Sequence, residues 1–545
     1  VLRNIVVDLT PVLPGGENGG AKVFVVELLR LLAELTPQTN FILLTQASAH
    51  EELAVLDRNN MRRLMVLDSG PAHAPPSFAK RVIARVMVNL PARARSLVGR
   101  MFHTLRGSMK RSGSKSLLRN LKADLLFCPF TAPTYYDAGV KTVSIIYDLQ
   151  HKTYPQFFAP EYVAQRDRTF IDAARRATIL VAISDYSRDT AIAAGGLDPN
   201  QIKTIHLHIS QHSLSTASRD DAVLLRLSLV PKHYVVYPAN FWKHKNHEML
   251  LTAFGIAMQN GLANEVRLVC TGAPSERQRW LKHAADEMGL GDQIVFAGYL
   301  TTAELLSLVT NSSGVVFPSL YEGFGLPVIE AMASGVPVAC SNSTSLPEVA
   351  GGAAILFDPR NPESLAKAII SLVSDKDLTA SLVEAGTARA AMFSNSKLMA
   401  EQFWDVFQQA TDQHVKYSHH LIGVHADGWM GPSVTLEVAA ADGPQTLNVE
   451  TSLPTGLAYK RVKLRIEEGD QTILETVVES GKLNQITLPI ALTGGVFSID
   501  VSPTFVPSTA GGGLDHRELS AQLLKCEIVK PGGEVVVLFP EGRAR

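Results

Sequence analysis

Short apolar runs at 5–8, 41–45, 64–67, 125–128, 142–147 and 179–183 alternate with stretches of helical periodicity over residues 1–210. That alternation is the mark of βαβ units around a parallel sheet. The first helix is predicted over 21–35, with Val23, Val26, Leu28 and Leu29 recurring on one apolar face. A second alternating series has its apolar runs at 234–237, 267–271, 293–297, 314–318 and 336–340, and the weakly patterned stretch 210–231 reads as the connection. Beyond residue 415 the period changes from helical to two. Alternating segments at 433–438, 446–450, 462–467, 472–478, 485–490, 496–501 and 534–539 are separated by Gly, Pro and Asp turns, which predicts a β-sandwich or jelly roll.

The expected architecture is therefore an α/β protein of two Rossmann-like domains facing a cleft, plus a C-terminal all-β sandwich-like domain. The expected boundaries are 1–225, 226–396, a closing helix over 397–415, and 420–545. Ligands of such open parallel sheets bind at the carboxyl ends of the strands.

A length of 545 residues exceeds what one hydrophobic core usually serves. With 46% hydrophobic and 19% charged residues the composition is that of a globular protein. No run approaches the roughly 20 apolar residues of a membrane-spanning helix. The chain opens directly on a strand pattern with no signal-peptide layout, and its first residue is Val rather than Met, as in a domain taken from a longer protein. Cys128, Cys270, Cys340 and Cys526 each stand alone in apolar, strand-like runs, without metal-ligand spacing. They read as buried small hydrophobes in a reducing cytosol, and a cytoplasmic location is expected.

The net charge of −1 conceals an asymmetry, because residues 69–123 carry twelve Lys and Arg and no Asp or Glu. Within it Ile83, Val86, Met87 and Leu90 recur at helical spacing, as do Leu97, Val98, Met101, Phe102 and Leu105. Two readings stand for this segment, 80–122. It lies peripherally on an anionic membrane surface, each near-surface cation contributing about 1 kcal/mol, or it packs its apolar faces on the first domain. Nucleic-acid binding is not indicated, since no recognition motif accompanies the charge.

The densest chemistry lies in Glu322-Gly323-Phe324-Gly325-Leu326-Pro327-Val328-Ile329-Glu330-Ala331-Met332-Ala333-Ser334-Gly335-Val336-Pro337-Val338. This is a strand end, a glycine loop, and a helix with proline in its first turn and a glycine closing it. Gly323 and Gly325 let the backbone approach a ligand and expose amides at the positive helix end, which suits sugar hydroxyls or a diphosphate. Glu322 falls on the loop and Glu330 about a turn into the helix.

The string resembles the signature of the family 4 retaining glycosyltransferases, which have the two-Rossmann GT-B fold, and the resemblance spans roughly residues 1–412. It implies Glu322 on the donor sugar, the amides of Phe324, Gly325 and Leu326 on sugar hydroxyls, and Glu330 on the nucleotide ribose, with Gly323 in the same donor loop. It also implies a cation for the donor diphosphate, matched here by Lys245-Asn246. The family's preceding arginine is missing, with Ala239 or Asn240 near its place and Lys243 as the candidate replacement. Gly19 and Gly20, in the loop before the first helix, correspond to the family's glycine loop near the donor phosphates. In Tyr147-Asp148-Leu149-Gln150-His151, Asp148 matches a family His-Asp pair, while Tyr147 stands where the histidine is usual; His151, four residues on, is carried as a catalytic candidate beside a structural reading. The base pocket is expected near Tyr299, Leu300 and Gly272.

The resemblance implies a nucleotide-sugar donor, with GDP-mannose favoured over a UDP-sugar, and a glycan or lipid-linked acceptor in bacterial surface polysaccharide synthesis. It requires no metal and no cofactor, because Lys245 and the helix amides can carry the leaving diphosphate. The alternative is an inactive transferase-like carbohydrate-binding or scaffold protein, supported by the missing arginine and by Tyr147. An epimerase of similar fold is disfavoured by the intact glutamate pair. Ser184 and Ser187 read as helix caps. In the β-domain, Trp429 within Gly428-Trp429-Met430 is either a platform for a sugar ring or a core tryptophan beside a turn.

Overall fold

A computed structural model describes residues 2–15, 18–67, 117–137, 139–209, 220–412, 420–424, 428–438, 441, 443–455, 457, 459–468, 471–490, 495–504 and 519–539. The chain divides into two compact units, whose described residues run from 2 to 412 and from 420 to 539. The basic segment 80–122 lies outside the described residues except for its end, where Leu117–Asn120 forms a short helix.

The first unit holds two parallel sheets. One has seven strands, β1 (Asn4–Asp8), β2 (Asn40–Gln46), β3 (Met61–Leu67), β4 (Leu125–Cys128), β5 (Lys141–Ile146), β6 (Ile179–Ala182) and β7 (Ile202–Thr204), in the order β3-β2-β1-β4-β5-β6-β7. The other has six, β8 (Tyr234–Pro238), β9 (Arg267–Thr271), β10 (Ile294–Gly298), β11 (Gly314–Phe317), β12 (Val338–Ser341) and β13 (Ile355–Phe357), in the order β10-β9-β8-β11-β12-β13. In both, the chain starts in the middle, builds one side, then crosses to the other. The switch point between the first and fourth strands opens a crevice at their carboxyl ends.

The central strands of both sheets are covered on two faces, so they are buried and read as continuous apolar runs. The helix Gly19–Leu35 buries Phe24, Val25, Leu28, Leu29, Leu32 and Ala33. The predicted apolar face is thus corrected at Val23, which is 70% exposed. The buried stripe runs through 25, 28, 29 and 32, and a residue two positions before Val25 points about 200° away. Phe403 and Phe407 of the helix Ser396–Asp412, which follows the second sheet, stack against Phe127 of β4 at 6.0 and 5.0 Å. The last helix of the series therefore returns to the first sheet and pins the two halves together. All four cysteines are free and buried. Among the described residues no helix is long and apolar enough to cross a membrane.

The second unit is all-β. Its five-stranded sheet has the order β14-β15-β20-β17-β18 and its four-stranded sheet the order β19-β16-β21-β22. These strands are β14 (His420–Val424), β15 (Met430–Val438), β16 (Gln445–Ser452), β17 (Arg461–Glu468), β18 (Gln471–Glu479), β19 (Leu483–Ile490), β20 (Gly495–Ser502), β21 (Gln522–Val529) and β22 (Val535–Phe539), all antiparallel. Side chains from both sheets, among them Leu436, Val449, Leu464, Ile499 and Leu523, share one core, the arrangement of a sandwich. Trp429 is half-buried and bridges to Gln522. The sandwich contains two strands absent from the pattern reading, β14 and β21.

Candidate active site

A cavity of about 560 Å³ opens at the carboxyl ends of β5, β8 and β11. From the first sheet's side come Asp148, Gln150, Phe157, Phe158, Tyr162 and Arg166; from the second come Phe241 to Lys245, Arg277 and the run Tyr321 to Gly323.

Lys245 ends a 3-10 turn, Lys243–Lys245, and its ammonium stands 2.6 Å from Glu322 Oε1. The following Asn246 has φ 61°, a left-handed conformation that asparagine and glycine adopt at least cost. This explains why an Asn or Gly follows the lysine in the pattern. The Asn246 amide donates to the carbonyls of Pro318 and Pro359 at 3.0 and 2.9 Å, tying the lysine turn to the strand end that carries Glu322. Burial alone would push the Glu322 carboxyl up, but the Lys245 ammonium beside it, with the hydrogen bonds from Lys245 and Ser319, holds it below the usual carboxylate range. Burial and Lys245 push His244 down to about 4, and burial and Arg277 push His247 down to about 3. Both imidazoles are therefore neutral at pH 7, and the positive charge of this loop rests on its two lysines.

Glu322 is held from its backbone as well. Its N–H donates to Thr344 Oγ1 at 3.0 Å and its carbonyl accepts from Ser345 Oγ at 2.9 Å. Gly325 then turns the chain with φ 109° into the helix Leu326–Ala333. The N–H groups of Phe324, Gly325 and Leu326 meet no acceptor among the described residues. They stand at the positive end of that helix, ready for an anion or hydroxyl oxygens. Glu330 is exposed on the same helix with no hydrogen-bond or ion-pair partner for its carboxylate among the described residues, while the protein around it raises its pKa by desolvation.

At Gly323 the backbones of the two halves come close together. A Cβ there would lie 2.5 Å from the Tyr147 carbonyl oxygen and 3.3 Å from Asp148 Cβ. Its own carbonyl accepts from Ser184 Oγ at 2.7 Å and Ser187 Oγ at 3.2 Å. Ser184 caps the helix Asp185–Gly195 through Ser187 N, as read from the sequence, and also bridges to the second sheet's loop. Opposite Glu322, Arg166 donates to Asp148 Oδ1 at 2.7 Å and lies over the rings of Phe158 and Tyr162.

The Lys245–Glu322 pair thus joins two strand-end loops of the second sheet, after β8 and after β11, at the cavity. Residues 228–389 fit the model of the glycosyl transferases group 1. Over those residues the chain is similar to the group 1 glycosyl transferases. The O-antigen chain mannosyltransferase B of Escherichia coli is 28% identical over 259 residues, which is 47% of this chain and 67% of that protein. The serotype-specific mannosyltransferase WbdA of Escherichia coli is 27% identical over 244 residues, 44% of this chain. That match takes in 30% of WbdA, so this chain spans only part of the length of such relatives. The crystal structure of HepE from Anabaena, in complex with UDP and glucose, superposes with a TM-score of 0.53 over 75% of this chain and all of HepE, at 16% identity. At that identity the likeness is one of fold, the GT-B fold.

Within the first unit the residues singled out from the sequence divide. Glu322, Lys245, Lys243, Asp148 and Gly323 converge on the cavity. Phe324 is buried beside it, while Gly325, Leu326 and Glu330 continue the loop into its helix. His151 does not line the cavity: it is 1% exposed, with Nε2 3.0 Å from Asp167 Oδ1, and burial lowers its pKa. Tyr147 is directed away too, its hydroxyl donating to the Pro129 carbonyl at 2.9 Å. Geometry thus places His151 and Tyr147 among the supports of the Asp148 loop. Gly19 and Gly20 sit at the exposed start of the first helix and Tyr299 is 79% exposed; none of the three lines the cavity.

Sequence reasoning missed the clamp that joins the halves of the first unit. Glu348, in the short helix Leu346–Ala350, accepts from the N–H groups of Asp185 and Tyr186 at 2.7 and 3.0 Å and pairs with His206 Nε2 at 2.7 Å. No spacing links residue 348 to residue 185, so only folding reveals it. Asp185, His206 and Glu348 also form the one metal-capable cluster found among the described residues, but their atoms are already engaged with one another, with Thr204 and with Arg188. Burial pushes the Glu348 carboxyl up, and the hydrogen bonds from His206, Asp185 and Tyr186 outweigh this and leave its pKa lowered. A carboxylate depressed in the folded state stabilises above its unfolded pKa and loses that contribution as pH falls through the folded value. Thermal melts from pH 7 down to pH 3 are therefore expected to show destabilisation of the first unit below about pH 4.5. Glu348→Gln should lower Tm at pH 7 and flatten that acid limb; an unchanged limb would remove Glu348 from its cause.

Proposed function

We propose that the chain is a retaining glycosyltransferase that moves a sugar from a nucleotide-sugar donor to a glycan or lipid-linked acceptor in bacterial surface polysaccharide synthesis. GDP-mannose is the first choice of donor and a UDP-sugar the second. The observation that carries this reading is the junction of Lys245 and Glu322 at 2.6 Å beside three unpartnered amides. One strand-end loop and one helix start thereby offer a cation, a carboxylate and a row of N–H groups to a single ligand. The relatives, an O-antigen chain mannosyltransferase and a serotype-specific mannosyltransferase, support the choice of sugar and acceptor.

In the proposed reaction the acceptor hydroxyl attacks the anomeric carbon on the face from which the diphosphate departs. The carbon–oxygen bond to the diphosphate breaks, the new glycosidic bond forms, and a leaving-group oxygen takes the hydroxyl proton. Lys245 and the amides of Phe324, Gly325 and Leu326 offset the negative charge that grows on the leaving group. Glu322 orients the sugar and Glu330 the ribose. Phe157, Phe158 and Tyr162 face this machinery from the first half, on the side where an acceptor would enter.

Purified protein incubated with a panel of GDP- and UDP-sugars and mannoside acceptors tests the reading. Transfer from GDP-mannose with retention at the anomeric carbon is expected. Binding of the acceptor with no turnover of any donor would favour the inactive, carbohydrate-binding alternative. Since the charge on the diphosphate is met by Lys245 and helix amides, activity is expected to survive EDTA. Loss on chelation, restored by manganese or magnesium, would overturn this assignment.

A further inference from the structure

Beside the cavity that holds Lys245 and Glu322 lies a second groove, of about 670 Å³. Phe241, Trp242, Lys243 and Arg277 line both, so the two are continuous. Glu330, Tyr299 and Leu300 do not border the second groove, although Ala273, next to Gly272, does. Its walls are the loop after β8, with Asn240 and Trp242, and the start of the helix Glu276–Glu287, with Trp280.

Trp242 and Trp280 are 56% and 53% exposed. Large flat side chains are normally covered, because leaving an indole in water forgoes the gain of burying it. Of the four tryptophans in the chain, these two stand out into solvent and border the same groove. The groove's polar groups suit a ligand rich in hydroxyls. Arg277 is ion-paired with Glu248, which offsets its charge, and the Lys243 cation is matched by the carboxylate of Glu276, which has no partner among the described residues. The lining therefore carries no charge excess that would select a polyanion. Asn240 accepts from Ala273 N at 3.0 Å, which fixes the two loops together and leaves its own amide N–H groups for a ligand. Apolar ring faces flanked by amide and carboxylate groups match a pyranose, whose C–H faces are apolar and whose rim is hydroxylated.

We propose that the groove bordered by Trp242 and Trp280 is a glycan subsite, holding the sugars of an oligosaccharide acceptor behind the one that reacts. The choice of acceptor as ligand rests on the reading of the chain as a transferase; the binding of an oligosaccharide there does not.

Calorimetry of the full chain with α-mannotetraose, maltotetraose and methyl α-mannoside tests it, with GDP and UDP as controls. Trp280→Ala is expected to weaken α-mannotetraose binding about tenfold, the size of one lost aromatic platform. Trp280→Phe should restore most of it, and binding of methyl α-mannoside and of the nucleotides should not change. Unaltered tetrasaccharide affinity in Trp280→Ala, a loss shared by nucleotide or monosaccharide, or failure of the wild-type chain to bind either tetrasaccharide would each overturn the subsite. If no nucleotide sugar is turned over, the transferase reading fails, while the calorimetry still decides the groove.

Discussion

Lys245→Met and Glu322→Gln are each expected to lower kcat about a hundredfold or more, with the double variant little worse than either alone. The two side chains are 2.6 Å apart and each is 15% exposed, so they act on the donor as one unit, and removing either dismantles it. The same geometry has a consequence for stability. Removing one partner leaves the other charge nearly buried and unpaired, which costs on the order of 3 kcal/mol. Each single variant should melt at lower temperature, and the double variant should recover part of the loss because no charge is left stranded. Urea titrations and steady-state kinetics on all four proteins complete the cycle. Additive losses in kcat would mean that the two residues act independently, and near-normal turnover in either single variant would remove that residue from the reaction.

Gly323→Ala is expected to reduce kcat/KM by about a hundredfold while the protein stays folded. A methyl group at this position would sit 2.5 Å from the Tyr147 carbonyl oxygen, a backbone atom that no rotamer change can move. The halves would have to part slightly between the loop carrying Asp148 and the loop carrying Glu322. Over-packing of this kind costs about 1–3 kcal/mol, tolerable for a unit whose sheets are otherwise buried, but it shifts donor-side groups against acceptor-side groups. KM for the donor should move little, since the helix amides and Glu330 lie on one half. Wild-type turnover in Gly323→Ala would show that the closeness of the two loops is immaterial to the chemistry. Ser184→Ala, which removes one hydrogen bond to the same carbonyl, should show a smaller effect in the same direction.

Much of this could be read before folding. Continuous apolar strands announce a parallel sheet because both faces are covered, and the strings around Glu322 and Lys245 are local. A glycine loop, a proline in the first helical turn and an asparagine after a lysine all act within a few residues of where they stand. Strands β7 and β13 escaped because each is three residues long at a sheet edge, too short for a period to show. β21 pairs with two neighbours in the middle of its sheet, yet its sequence mixes Lys525 and Glu527 among apolar residues and carries no turn signal of its own.

Sequence alone thus determined the two Rossmann-like series, the β-rich tail and the identity of the loop residues that carry charge, since each follows from side-chain periodicity or backbone preference over short stretches. Tertiary structure decided which of those residues share a cavity. It brought Glu322 to Lys245 across 77 positions, set Arg166 against Asp148, and locked Glu348 onto the helix start at Asp185. It also turned His151 inward to Asp167, where periodicity had left it free to face a substrate. Such pairings depend on how two sheets close on one another, and no local rule of spacing carries that information.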